Sequence, residues 1–198
     1  MEVIEKIKEI SAQAVPAAKI EIINSTPAAQ QPALLVDREH IYAVAKFLKE
    51  DPRFQMDFCS CVTAVDYPSK ADKPGCIEVV YHLYSVTQKQ GPIVLKVRAP
   101  RELDQCRVPS LTPLWRACEF QEREAYDLYG VKFDGHPDLR RILMWDEFID
   151  HPMRKDYVPP ADYEWEPTPH DDTLQRAVQE GGIMPPTAVE ELERAKKK

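Results

Sequence analysis

FCSCVTAVDYPSKADKPGCIEVVYHLYSVTQKQGPIVLKVR, residues 58–98, decides the fold class of this chain. Three runs rich in β-branched and aromatic residues are separated by two turn-rich linkers, YPSKADKPG and TQKQGP. In the middle run Ile77, Val79, Tyr81 and Leu83 recur at every second position, which puts them on one face of a strand. Linkers this short join antiparallel neighbours, because a parallel crossover needs a dozen or more residues. The expected arrangement is an antiparallel meander with strands over 58–65, 77–85 and 93–98.

On the N-terminal side, Val3, Ile7, Ile10 and Ala14 fall at helical spacing, and Pro16 ends the run. A short strand is expected over 19–24. Asp37 reads as an N-cap, and Ile41, Val44, Ala45 and Leu48 mark the apolar face of a second helix stopped at Asp51-Pro52. On the C-terminal side, Thr112-Pro113 reads as an N-cap followed by proline at the first helical position. That helix is expected to run to Tyr129 with Gly130 as its stop. The fold class is α+β: a small antiparallel or mixed sheet with packed helices.

Of the 198 residues, 43% are hydrophobic and 30% charged. No apolar run approaches the ~18 residues that span a bilayer. MEVIEKIKEI mixes acids and bases, unlike a signal or transit peptide, and implies a cytoplasmic chain. The net charge of −7 is concentrated between 119 and 172, where fifteen acids face six bases. That balance argues against binding a phosphate backbone. Lys196, Lys197 and Lys198 read as a solvated tail. The five cysteines, an odd number, imply reduced thiols. On a regular strand Cys59 and Cys61 would face the same way. With no C-x-x-C and no second cluster, small core residues are the expected role.

The densest chemistry lies at 122–157, EREAYDLYGVKFDGHPDLRRILMWDEFIDHPMRKDY. Two parts resemble each other: Phe133 to Arg141 and Phe148 to Lys155 each read Phe, two residues, His-Pro, then an apolar residue and two bases nearby. Proline restricts the histidine before it to extended geometry. Arg123, Arg140, Arg141, Arg154 and Lys155 can pair with Glu122, Glu124, Asp127 and Asp156, or with carboxylates of a partner. Metal binding by His136 and His151 is a weaker reading, since they lie fifteen residues apart with no helical H-E-x-x-H. Acid–base catalysis by Glu122, Glu124 or Asp127 lacks any nucleophile motif. From Pro152 onward lie seven of the eighteen prolines, interleaved with Tyr157, Tyr163 and Trp165. This reads as an extended arm that orders on a partner, with a short helix near 187–196. The expected organisation is an N-terminal amphipathic helix (1–15), an α+β domain (16–157) and a partner-binding arm (158–198).

The block from Glu122 to Tyr157, with ERE-AYDLYGV-F-GHPDLRRIL and then HPMRKDY, resembles the signature of the 30 kDa subunit, also called the C subunit, of proton-pumping NADH-quinone oxidoreductase, respiratory complex I. Asp150 stands where that family usually has glycine before the second His-Pro, and the continuation after Asp156 also departs from its pattern. The resemblance implies a structural subunit of the peripheral arm on the cytoplasmic side of the bacterial inner membrane. It implies that the chain carries no iron–sulfur cluster, flavin or quinone site. FMN and the clusters would sit on other subunits. The implied partner is the 49 kDa quinone-site subunit, braced by a network of Glu122, Arg123, Glu124, Asp127, His136, Arg140, Arg141, His151, Arg154, Lys155 and Asp156. Related subunits of membrane-bound hydrogenases, formate hydrogenlyase and ferredoxin- or F420-dependent complexes share the block. A free-standing hydrolase is the remaining alternative.

Overall fold

The computed structural model describes residues 2–23, 32–71 and 73–158. The expected C-terminal helix and all but the start of the arm lie outside them. Three helices, α1 (Glu2–Ala14), α2 (Ile41–Glu50) and α3 (Cys118–Tyr129), accompany a five-stranded mixed sheet. The strands are β1 (Ile20–Ile23), β2 (Ala33–Val36), β3 (Phe58–Tyr67), β4 (Cys76–Ser85) and β5 (Gln90–Pro100), in the order β1-β2-β5-β4-β3. The meander β3-β4-β5 is antiparallel, as its linkers require. The short run ALLV adds β2, parallel to β5 and antiparallel to β1, which makes the sheet mixed. Two three-residue strands, β6 (Arg107–Pro109) and β7 (Lys132–Asp134), pair in parallel on either side of α3 in sequence.

One face of the sheet forms the core. Ile77, Val79, Tyr81 and Leu83 have no exposed surface, and neither do Ile41, Val44, Ala45 and Leu48 of α2. Both periodicities therefore predict the buried face correctly. The opposite face carries Val80, Val94 and Ala33 beside Glu78, which accepts from Lys96 Nζ at 2.9 Å and Arg98 Nε at 2.8 Å. Helix α1 buries Ile4, Ile7 and Ser11, while Ala14 is exposed. The apolar stripe is thus rotated from the one its sequence spacing implied.

Three local expectations differ. The N-cap position of α2 is His40, not Asp37. The Asp37 carboxylate instead accepts from the Lys19 backbone N–H at 2.6 Å and contacts the His40 ring, so it ties the strand entry to the turn before α2. Helix α3 starts at Cys118 rather than at Thr112-Pro113. Residues 111–115 form a separate turn, closed by the Leu114 and Trp115 N–H groups on the Leu111 carbonyl. The Trp115 indole of that turn donates to the Met56 carbonyl at 2.9 Å. Finally, a β-bulge between Cys59 and Cys61 breaks the alternation of β3. An inserted residue reverses the facing of everything after it, so Cys59 is buried while Cys61 is half-buried, and the two do not share a face.

The same bulge brings the outward N–H of Val62 to the Gln121 side-chain oxygen of α3 at 2.6 Å. The Gln121 amide nitrogen donates back to Ala117 C=O at 3.0 Å. At the centre of the core the Tyr81 hydroxyl is buried with no hydrogen-bond partner among the described residues. A buried unsatisfied hydroxyl costs about 1–3 kcal/mol. Tyr81→Phe should therefore raise the unfolding free energy by about 1 kcal/mol, measured by urea denaturation. A loss of stability would show that the hydroxyl is satisfied.

Candidate functional site

The charged block organises around α3. A helix leaves its last four carbonyls without intrahelical donors, and here each of them is satisfied. Gly130 N–H donates to Tyr126 C=O at 2.9 Å, and Met153 N–H to Leu128 C=O at 3.1 Å. His151 Nδ1 donates to Asp127 C=O at 2.8 Å, and Arg154 Nε to Tyr129 C=O at 2.8 Å. Three of these four donors come from the second His-Pro segment, which is thus a cap on the helix. Gly130 sits at φ +78°, and a Cβ there would lie 2.6 Å from Leu103 Cδ2 and 2.7 Å from His151 Nε2. Glycine is required both by the left-handed backbone and by the approach of the cap.

Three charged side chains of α3 are buried: Glu122, Arg123 and Asp127. Each holds a different piece of chain. Asp127 Oδ2 accepts from three consecutive backbone N–H groups, Ile142, Leu143 and Met144, at 3.0, 2.7 and 2.8 Å. Its Oδ1 accepts from Arg141 Nη1 at 2.5 Å. Burial acts to raise the Asp127 carboxyl, but these donors outweigh it and hold the group below the usual carboxylate range. Arg123 donates to the carbonyls of Arg140 and Arg141 at 3.2 and 2.9 Å and lies over the Phe120 ring. Glu122 accepts from Ser110 Oγ at 2.6 Å, Leu111 N–H at 2.8 Å and Thr112 Oγ1 at 3.2 Å. Burial pushes its carboxyl above the ordinary range, against the pull of those donors.

A second knot ties the cap to the sheet. Asp66, on the inward register of β3, receives Arg101 in bidentate geometry at 2.7 and 2.8 Å and the Lys155 backbone N–H at 2.8 Å. Arg101 also reaches Asp156 at 2.7 Å, and Arg154 Nη1 donates to Arg101 C=O at 2.8 Å. Burial of Asp66 is again outweighed by its donors, so its carboxyl lies low.

The network differs in wiring from the pairing read in the sequence. Arg141 meets Asp127 as expected. Arg123, however, binds backbone carbonyls rather than Asp127 or another carboxylate, because it is buried where the chain at 140–141 crosses α3. Arg140 pairs with Asp138 at the surface. Arg154 serves carbonyls, and Lys155 contributes its backbone while its side chain stays exposed. Glu124 is exposed and makes no hydrogen bond among the described residues. His136 Nε2 donates to Glu119 C=O at 2.9 Å while its Nδ1 accepts from Asp138 N–H at 3.0 Å. The two His-Pro steps thus engage carbonyls eight residues apart on α3, about 12 Å along the axis, and the histidines do not share a site. Among the described residues no three His, Cys, Asp or Glu side chains converge as a metal-binding group.

Asp66, Arg101, Ser110 and Gly130 complete the network. Asp66 had a readable signal, an acid in phase with Val62 and Ala64 on the apolar face of β3. Arg101 and Ser110 had none, since each acts through a contact distant in sequence.

The fold is a small α+β domain in which the buried charged side chains of one helix hold irregular chain in place. Its family is specific: residues 34–163 match the model of the respiratory-chain NADH dehydrogenase 30 kDa subunit, and the chain belongs to that family. It is 48% identical over 126 residues to the C subunit of NADH-quinone oxidoreductase from Moorella thermoacetica, covering 64% of this chain and 79% of that one. The corresponding C subunit from Geotalea uraniireducens is 42% identical over 124 residues, covering 63% and 71%. For the one from Saccharopolyspora erythraea the values are 38% over 122 residues, 62% and 47%. Among solved structures, a chain of the membrane-bound sulfane sulfur reductase, an archaeal respiratory membrane complex, superposes with a TM-score of 0.59 at 28% identity, over 78% of this chain and 85% of that one. A trypsin-resistant fragment of Nqo5 gives 0.52 at 28% identity, over 69% and 98%.

The wiring sets two measurable costs. Removing one partner of a buried ion pair typically costs about 3–5 kcal/mol, so Asp127→Ala should destabilise by that amount in urea denaturation. The pH dependence has two windows. Burial holds the His151 imidazole below its ordinary value of 6.5, so its contribution is present above pH 6.5 and lost as pH falls through the folded value. Asp66 and Asp127 lie below 3.8, so theirs is present above about pH 4 and lost further down. Glu122, raised from 4.5, works in the opposite sense and loses its contribution as pH climbs. Stability measured against pH should fall in two steps on acidification, and His151→Gln should reduce the upper one, to which His82, also held low by burial, contributes the rest.

Proposed function

We propose that the chain is a non-redox structural subunit of the peripheral arm of a proton-translocating NADH-quinone oxidoreductase, on the cytoplasmic side of the membrane. Its role is to brace the 49 kDa quinone-site subunit, while FMN and iron–sulfur clusters reside on other chains. The observation that carries this reading is what the buried charge holds up. Five large apolar side chains between 142 and 153 face solvent: Ile142, Leu143, Trp145, Ile149 and Met153, with Ile149 95% and Leu143 62% exposed. The backbone beneath the first two is pinned by the Asp127 carboxylate. Exposed apolar residues on a fixed backbone suit docking onto a partner, because little ordering entropy remains to be lost. Among the described residues no helix is long and apolar enough to cross a membrane, so attachment through other subunits fits the reading.

A second reading places the chain in a related membrane-bound complex with a different electron donor. The similarity to a chain of the sulfane sulfur reductase complex favours it, and the donor would be set by other subunits in either case.

The test is affinity purification of the tagged chain from gently solubilised membranes. Leu143→Asp with Ile149→Asp should leave the chain folded yet lose the large subunit, and Arg140→Ala or Arg154→Ala should lower recovery of the assembled complex rather than slow one chemical step. Normal assembly with selectively abolished turnover would overturn the structural role. Recovery of a nickel-containing large subunit without an NADH-binding flavoprotein would select the second reading.

A further inference from the structure

Away from the charged block, α1, the turn after α2 and the β4–β5 hairpin enclose a cleft of about 730 Å3. Its apolar lining is Ile4, Ile7 and Ile10 of α1, Phe54 and Met56 of the turn, and Pro92 and Ile93 of β5, with Pro32 before β2. Its charged lining is Lys6, Arg53 and Lys89, and no acidic side chain lines it among the described residues. In a chain of net charge −7 this is a local reversal of sign. Arg53 is paired with Asp51, but Lys6 and Lys89 make no ion pair among the described residues and both are exposed.

Two of the three walls, the turn and the hairpin, are fixed to each other. Gln88 Nε2, from the hairpin, donates to Pro52 C=O at 2.6 Å and to Gln55 Oε1 at 3.0 Å. Asp57 accepts from the N–H groups of Val86 and Thr87 at 2.8 and 3.1 Å and from Thr87 Oγ1 at 2.6 Å. These two walls are therefore preformed, and the size of the cleft lies within the about 300–1,000 Å3 of small-molecule sites.

We propose that this cleft binds a single-chain anionic amphiphile, a long-chain carboxylate, with its hydrocarbon against the isoleucines and its head group at Lys6 and Lys89. The eight apolar side chains offer no partner for a polar ligand interior, so a polar ligand body placed against them would lose its hydrogen bonds to water without replacement. An extended hydrocarbon carries no buried polar group and matches both the volume and the charge at the rim. The proposal is independent of the role of the charged block.

The test uses the full chain and cis-parinarate, a fluorescent C18 carboxylate, displaced by palmitate. Binding should be saturable and one-to-one, and a C16 carboxylate should bind at least about tenfold tighter than C12, as burial of four more CH2 groups implies. Lys6→Glu with Lys89→Glu should weaken it about tenfold, the consequence of two reversed charges at a partly exposed head group. Ile10→Trp should block it by filling the cleft. Circular dichroism and thermal melting of each variant separate loss of binding from loss of fold. Undiminished binding by the Lys6/Lys89 double variant, or equal competition by hexadecanol, would overturn the proposal. Binding by the free chain that is absent in the purified complex would assign the cleft to a neighbouring subunit. Displacement of the probe on concentration-dependent dimerisation would assign it to a second copy.

Discussion

The carboxylate of Asp127 is the constraint on which the rest of the site depends. It lies near the C-terminal end of α3, where partial negative charge from the helix dipole disfavours an anion, and it is fully buried. It persists as a carboxylate because three consecutive N–H groups and one guanidinium converge on it. The dependence is mutual. The segment 141–144 has no regular secondary structure to satisfy its backbone, and the anion supplies the acceptor that a sheet neighbour would otherwise provide.

Glu122 and Arg123 extend the same logic, one holding the turn before the helix and the other the chain that crosses it. The second His-Pro segment then closes the helix end and is itself secured to β3 through Asp66. Irregular chain thus takes its path from a single helix rather than from strand pairing. This explains why so short a stretch needs so many charges: each must replace several backbone hydrogen bonds. The thiols take no part in it. Burial raises Cys106 to about 11, and Cys118 is likewise pushed up by its contact with Cys59 and by burial.

Where the sequence was informative, its information was local. The alternation of Ile77, Val79, Tyr81 and Leu83 and the spacing of Ile41, Val44, Ala45 and Leu48 report directly on the buried faces. Gly130 marked the end of α3 for the same reason. The failures have a common cause in contacts made across the chain. Thr112 looked like a cap because its partner, Glu122, lies ten residues on and engages it outside any helix. Cys59 and Cys61 looked like a pair because a bulge leaves no signature in two residues. Arg123 looked like a partner for a carboxylate because nothing nearby shows that the chain at 140–141 returns over it. The type and density of the residues in the block were legible, but the wiring was not.

The link between Val62 and Gln121 bears on how this domain can associate. A long strand at the border of a sheet normally offers its free amide to any extended chain, in register and with little selectivity. Here a side-chain amide already occupies that position on β3, and the helix that supplies it lies alongside. Growth of the sheet by addition of a further strand is obstructed on that side. Contacts made along that edge must rest on the shape and chemistry of side chains, which discriminate between partners, rather than on backbone pairing, which does not.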